Sequence, residues 1–74
     1  MTSYKPLWHL LIERGLTKAD LRKLTGISPN TMTKLTRNEE VSMTIINRIC
    51  DVLSVNYADV VEYIPNTKKE DIEQ

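Results

Sequence analysis

Between Leu16 and Leu35 the chain has room for little except two short helices joined by a tight turn at Gly26. Thr17 has the hydroxyl that caps a helix start, and Asp20 follows three residues later as an acidic partner in the first turn. The second helix opens on Ser28 and Pro29, a cap followed by a residue whose fixed φ suits the first helical position. Thr25-Gly26-Ile27 between them is too short for anything but a turn, and Gly26 is free to take the positive φ that such turns often need. The expected helices are 18–25 and 29–36, the first burying Leu21 and Leu24, the second Met32 and Leu35. The second is markedly polar on its other side.

Two helices hinged this way have the layout of a helix-turn-helix, whose second helix enters the DNA major groove. The net charge of zero argues neither way until it is divided along the chain. Residues 1–38 carry seven basic side chains against two acidic ones, a net of +5, and residues 39–74 carry three against eight, a net of −5. The basic half is the half with the hinged helices, which suits one face for a polyanion and an acidic remainder turned away. Ordinary surface charge that happens to segregate is the plainer reading.

The remaining segments point to one all-α domain over residues 1–65. A helix from about Pro6 to Arg14 is expected to turn Leu7, Leu10 and Leu11 inward and stop at Gly15. Asn38 is placed to end the third helix in the left-handed conformation. Ser42 caps a fourth carrying Ile45, Ile46, Ile49, Cys50, Val52 and Leu53, and Asn56 begins a fifth, Tyr57 to Tyr63, closed by Pro65. No strand is expected, so the architecture is a compact five-helix bundle. Residues 66–74 are polar apart from Ile72 and are expected to form a disordered tail. A lone cysteine excludes an intrachain disulfide, and Cys50 reads as a small buried residue of a reducing cytoplasm. The longest apolar run, Leu10-Leu11-Ile12, is far too short for a membrane span.

Taken together, Leu-Thr-x-x-x-Leu-x-x-x-Thr-Gly-Ile-Ser at 16–28 and Ser-x-x-x-Ile-x-x-Ile-Cys-x-x-Leu at 42–53 resemble the lambda repressor/Cro-like (XRE) helix-turn-helix family, in its small single-domain bacterial and phage form. The resemblance runs over nearly all of residues 5–64 and implies a compact lambda repressor-like domain. It implies DNA-reading residues at Asn30, Thr33 and Lys34, with Ser28 at the helix entrance and Lys18 and Arg37 near the phosphates. The chemistry agrees: Asn pairs with adenine, Lys donates to guanine, and a Thr methyl meets a thymine methyl. Phosphate contacts position the domain and make affinity salt-dependent. Three positions depart from the family pattern. Pro29 stands where many members read a base with Gln, Arg22 where a small Ala usually packs, and Glu39-Glu40 where DNA would favour neutral or basic residues.

The implied function is a transcriptional regulator, a repressor that occludes polymerase as a homodimer on double-stranded DNA, without cofactor, metal, small-molecule ligand or membrane. Val61, Tyr63 and Ile64 are the candidate dimer contacts, since the C-terminal apolar residues exceed what a short last helix buries; the alternative is that they close the domain's own core. A different class of function on the same fold is a protein-interaction module, an antitoxin or phage-encoded inhibitor, favoured by the acidic second half. His9 lacks partners at ligand spacing, Trp8 reads as a packer at the core edge, and no catalytic constellation suggests an enzyme. On the plain reading, the polar side of the third helix is only a solvated surface.

Overall fold

The computed structural model describes residues 1–65. The chain forms β1 (Thr2–Ser3), α1 (Lys5–Glu13), α2 (Lys18–Thr25), α3 (Pro29–Thr36), α4 (Met43–Leu53), a 3-10 turn at Tyr57–Asp59, and β2 (Glu62–Tyr63). Four α-helices therefore stand where five were expected. The tail expected at residues 66–74 lies outside the described residues.

Helix starts follow local chemistry. The Thr17 hydroxyl accepts from the Asp20 amide at 3.1 Å while the Asp20 carboxylate accepts from the Thr17 amide at 2.9 Å, a reciprocal box that satisfies two otherwise orphaned donors. The Thr17 backbone amide, and after it the Thr17 side chain, hold the Asp20 carboxyl below its ordinary pKa. A carboxyl with a depressed folded-state pKa stabilises the fold above its unfolded pKa, and that contribution disappears as pH falls through the folded value. Thr17→Ala is expected to cost about 1 kcal/mol at neutral pH. The difference between wild type and Asp20→Asn in thermal unfolding is expected to vanish below the ordinary carboxylate range. A difference unchanged down to that pH would show the box to be idle.

All four helices stop on a left-handed residue. Gly15 (φ 68°), Gly26 (φ 72°), Asn38 (φ 59°) and Ser54 (φ 56°) follow α1, α2, α3 and α4 in turn. After α1, α3 and α4 the chain closes with a six-residue backbone bond: Leu16 N–H to Leu11 O at 2.8 Å, Glu39 N–H to Lys34 O at 2.8 Å, and Val55 N–H to Cys50 O at 3.1 Å. The turn between α2 and α3 is the simpler form, with the Gly26 amide donating to Arg22 O at 2.8 Å.

Tyr4, Leu7, Leu11, Leu21, Ile27, Met32, Leu35, Ile46, Ile49, Leu53 and Val60 form the core. Trp8, Ile45, Cys50 and Val61 pack partly buried around it. Leu24, expected inside, is 54% exposed. The buried face of α2 is centred between Leu21 and Thr25, whose hydroxyl returns to Leu21 O at 2.7 Å, so Leu24 falls at its edge. Cys50 is only half-buried; desolvation, then Asp51 and Asp59, push its thiol above the ordinary pKa.

The expected fifth helix is the main correction. Tyr57–Asp59 makes a single 3-10 turn, opened by the Asp59 carboxylate accepting from the Asn56 amide at 3.0 Å. Val60 is fully buried, and Glu62–Tyr63 then runs extended, antiparallel to β1, with Thr2 opposite Tyr63 and Ser3 opposite Glu62. Two adjacent valines stiffen the chain against continuing the helix, and the N-terminal residues offer backbone partners that a short isolated helix would lack. The Ser3 hydroxyl donates to the Glu62 carboxylate at 3.1 Å.

Candidate DNA-binding surface

Met32 and Leu35 hold α3 against the core, and the opposite side of the helix faces outward. Asn30, Thr33, Lys34 and Arg37 are all exposed and lie at i, i+3, i+4 and i+7, so they form one continuous strip along that side. The structure thus brings four of the sequence-derived candidates together on one surface.

Each of the four presents different chemistry. The Thr33 hydroxyl donates to Pro29 O at 3.1 Å, so its hydrogen is engaged by the helix and its methyl is the group left to meet a partner. Lys34 and Asn30 have no hydrogen-bond partner among the described side chains. Arg37 is met by Glu39 at 3.8 Å, an exposed pair that contributes about 0–1 kcal/mol and gives way readily to a better anion. Glu39 is therefore turned toward this cation rather than away from the surface, while its carbonyl accepts from the buried Tyr4 hydroxyl at 2.8 Å.

Ser28 serves the helix itself. Its hydroxyl oxygen accepts from the Thr31 amide at 3.2 Å and lies 3.1 Å from the Thr31 hydroxyl. Pro29 at the next position has no amide hydrogen to offer. Ser28 thus sets the orientation of the helix start.

Lys18, at the start of α2, is held by two other elements. Its ammonium sits 4.4 Å from the Trp8 ring centroid and 3.5 Å from the Thr36 hydroxyl oxygen. Lys18 remains exposed, so α1 and α3 position the charge without hiding it. Trp8 packs at the core edge as expected, and its contact with Lys18 has no local signal in the sequence.

A groove of about 350 Å³ runs along the crease between α2 and α3, with Pro29, Met32 and Thr33 in its walls and Lys18, Arg22 and Arg37 on its rim. Arg22 is exposed there, so its stem does not wedge the helices apart. The candidate dimer residues are placed less uniformly. Val61 is half-buried against the core, while Tyr63 is 72% and Ile64 39% exposed, near Met1, whose carbonyl accepts from the Ile64 amide at 2.8 Å.

A helix-turn-helix with a buried apolar side and an exposed polar strip on its second helix defines a class of DNA-binding domain. The chain belongs to the Cro/C1-type helix-turn-helix DNA-binding domain family, whose model matches residues 6–66. Among solved structures it is similar to the crystal structure of transcriptional regulator VanUg, with 42% sequence identity, a TM-score of 0.85, and coverage of 88% of this chain and 87% of that one. No curated protein matches the chain. No helix among the described residues is long and apolar enough to cross a membrane.

Proposed function

We propose that this chain is a transcriptional repressor that binds DNA as a homodimer, with α3 in the major groove. The observation that carries the proposal is the strip of Asn30, Thr33, Lys34 and Arg37 on the outward side of a helix whose other side is locked into the core. Asn30 and Lys34 supply the donors and acceptors that distinguish base edges, and the Thr33 methyl supplies an apolar contact for thymine. Lys18 and Arg37 contact phosphates and fix the register, and Ser28 orients the helix entrance. The domain's similarity to a transcriptional regulator over most of both chains supports the same reading.

Tyr63 and Ile64 expose apolar surface at one end of the small sheet, which supports a two-fold contact there, with Val61 behind it. Such a dimer presents two α3 helices to half-sites about one DNA turn, ~34 Å, apart. Bound across a promoter, it represses by excluding polymerase. Selection from a random duplex pool at about 0.1 M salt tests the whole reading. Recovery of a palindrome with half-sites roughly one turn apart is the expected result. Enrichment of a single half-site would overturn the dimer, and an unenriched pool would overturn DNA recognition in favour of a protein partner.

A further inference from the structure

Arg22 has no role in the strip on α3, yet the structure gives it a defined place. It lies one helical turn beyond Lys18, and both side chains reach the rim of the groove between α2 and α3. No carboxylate lines that groove. Among the described residues the Arg22 guanidinium has no ion pair or side-chain hydrogen bond, since the single pair found there joins Arg37 to Glu39. Lys18 is pinned between Trp8 and Thr36 on the same rim. The groove thus combines three cations, of which Arg37 alone is met by a carboxylate, with walls supplied by Pro29 and Met32.

We infer that Arg22 and Lys18 together seat one phosphate of the DNA backbone in this groove, with the adjoining deoxyribose against Pro29 and Met32. The inference rests on the DNA-binding reading above and adds a contact that reading does not contain. Charge selects the phosphate, since a cationic rim without carboxylates favours an anion, and a guanidinium can grip two of its oxygens at once. The apolar walls suit the carbon face of the sugar. Pro29 has no amide or side-chain donor with which to bind a base, and in this arrangement it serves as a packing surface instead. The phosphate seat strengthens binding on every sequence and leaves the choice of sequence to α3.

The test compares wild type, Arg22→Ala and Arg22→Lys on a duplex recovered from the random pool and on a shuffled duplex of the same length. Alanine is the strongest helix former, so the first variant keeps α2 intact, and circular dichroism melting verifies this. Arg22→Ala is expected to bind both duplexes about tenfold more weakly at ~0.1 M salt, the effect of losing one exposed charge contact in each copy of the dimer. The slope of log K against log salt is expected to become shallower by about two, one for each copy in the dimer. Arg22→Lys is expected to recover most of the slope. Unchanged affinity and slope in a folded Arg22→Ala overturn the inference. So does a loss confined to changes at one base pair, which would make Arg22 a base reader. Failure of the wild type to bind any duplex is a separate result, visible without a variant, and overturns the DNA-binding reading itself.

Discussion

Replacing Tyr4 by alanine is expected to unfold most of the population of this domain at room temperature. Tyr4 is 2% exposed, and it is the only aromatic ring in the core, since Trp8 is partly buried and Tyr57 and Tyr63 are exposed. Removing a buried aromatic side chain costs about 3–5 kcal/mol, which rivals the total stability of a domain this small. The residue also joins segments distant in sequence. Its amide donates to the Asn38 side chain at 3.0 Å and its hydroxyl to the Glu39 carbonyl at 2.8 Å, tying the start of α1 to the exit of α3. Tyr4→Phe keeps the ring and deletes only the second bond, so it is expected to cost about 1 kcal/mol, leaving one carbonyl unpaired. Chemical denaturation of the three proteins measures both losses. Equal midpoints for wild type and Tyr4→Ala would show that the anchor carries no weight.

The same side chain sets an alkaline limit. Burial raises the Tyr4 pKa above its ordinary value of 10.0, with the Val41 backbone opposing the rise and the Glu40 charge adding to it. A group whose folded-state pKa is raised stabilises the fold below the unfolded pKa, and that stability is lost as pH rises through the folded one. Unfolding at alkaline pH should therefore begin above the ordinary phenol range and be delayed in Tyr4→Phe.

The features legible in the sequence were those written within four residues. Thr17 with Asp20, Ser28 before Pro29, Ser42 before an isoleucine-rich run, and Gly26 and Asn38 after theirs all act through bonds to the adjacent turn, so residue type and spacing suffice. Helical periodicity likewise separates Met32 and Leu35 from a polar outward side of α3, whereas the choice of Asn30, Thr33, Lys34 and Arg37 on that side comes from the family resemblance. Pairing of Thr2–Ser3 with Glu62–Tyr63 was not, because two-residue strands are too short to alternate and their partners are nearly a chain length apart. Ser54 in the left-handed region gave no signal, since serine seldom goes there and the closing bond to Cys50 forms only once α4 exists. Arg22 read as a packing misfit because sequence identifies the position and not the direction of a long side chain.

Changing Asn30 and Lys34 together to alanine should separate recognition from attraction. Both are exposed on α3, and neither side chain contributes a bond to the fold, so the double variant is expected to melt within about 0.5 kcal/mol of wild type. A base contact by a well-placed side chain discriminates by about 1–3 kcal/mol, and a dimer makes each contact twice. Loss of both contacts in both half-sites should therefore weaken binding to the selected palindrome by at least about a hundredfold. Binding to a shuffled duplex should fall much less, because Lys18, Arg22 and Arg37 still supply charge to the backbone. The ratio of the two affinities is the decisive quantity, measured at one fixed salt concentration. If the ratio survives the double substitution, α3 does not read the sequence and the exposed strip is a solvated helix face. If it collapses while the salt slope changes by no more than the loss of the Lys34 charge, base reading resides in α3 and general attraction in the cations around it.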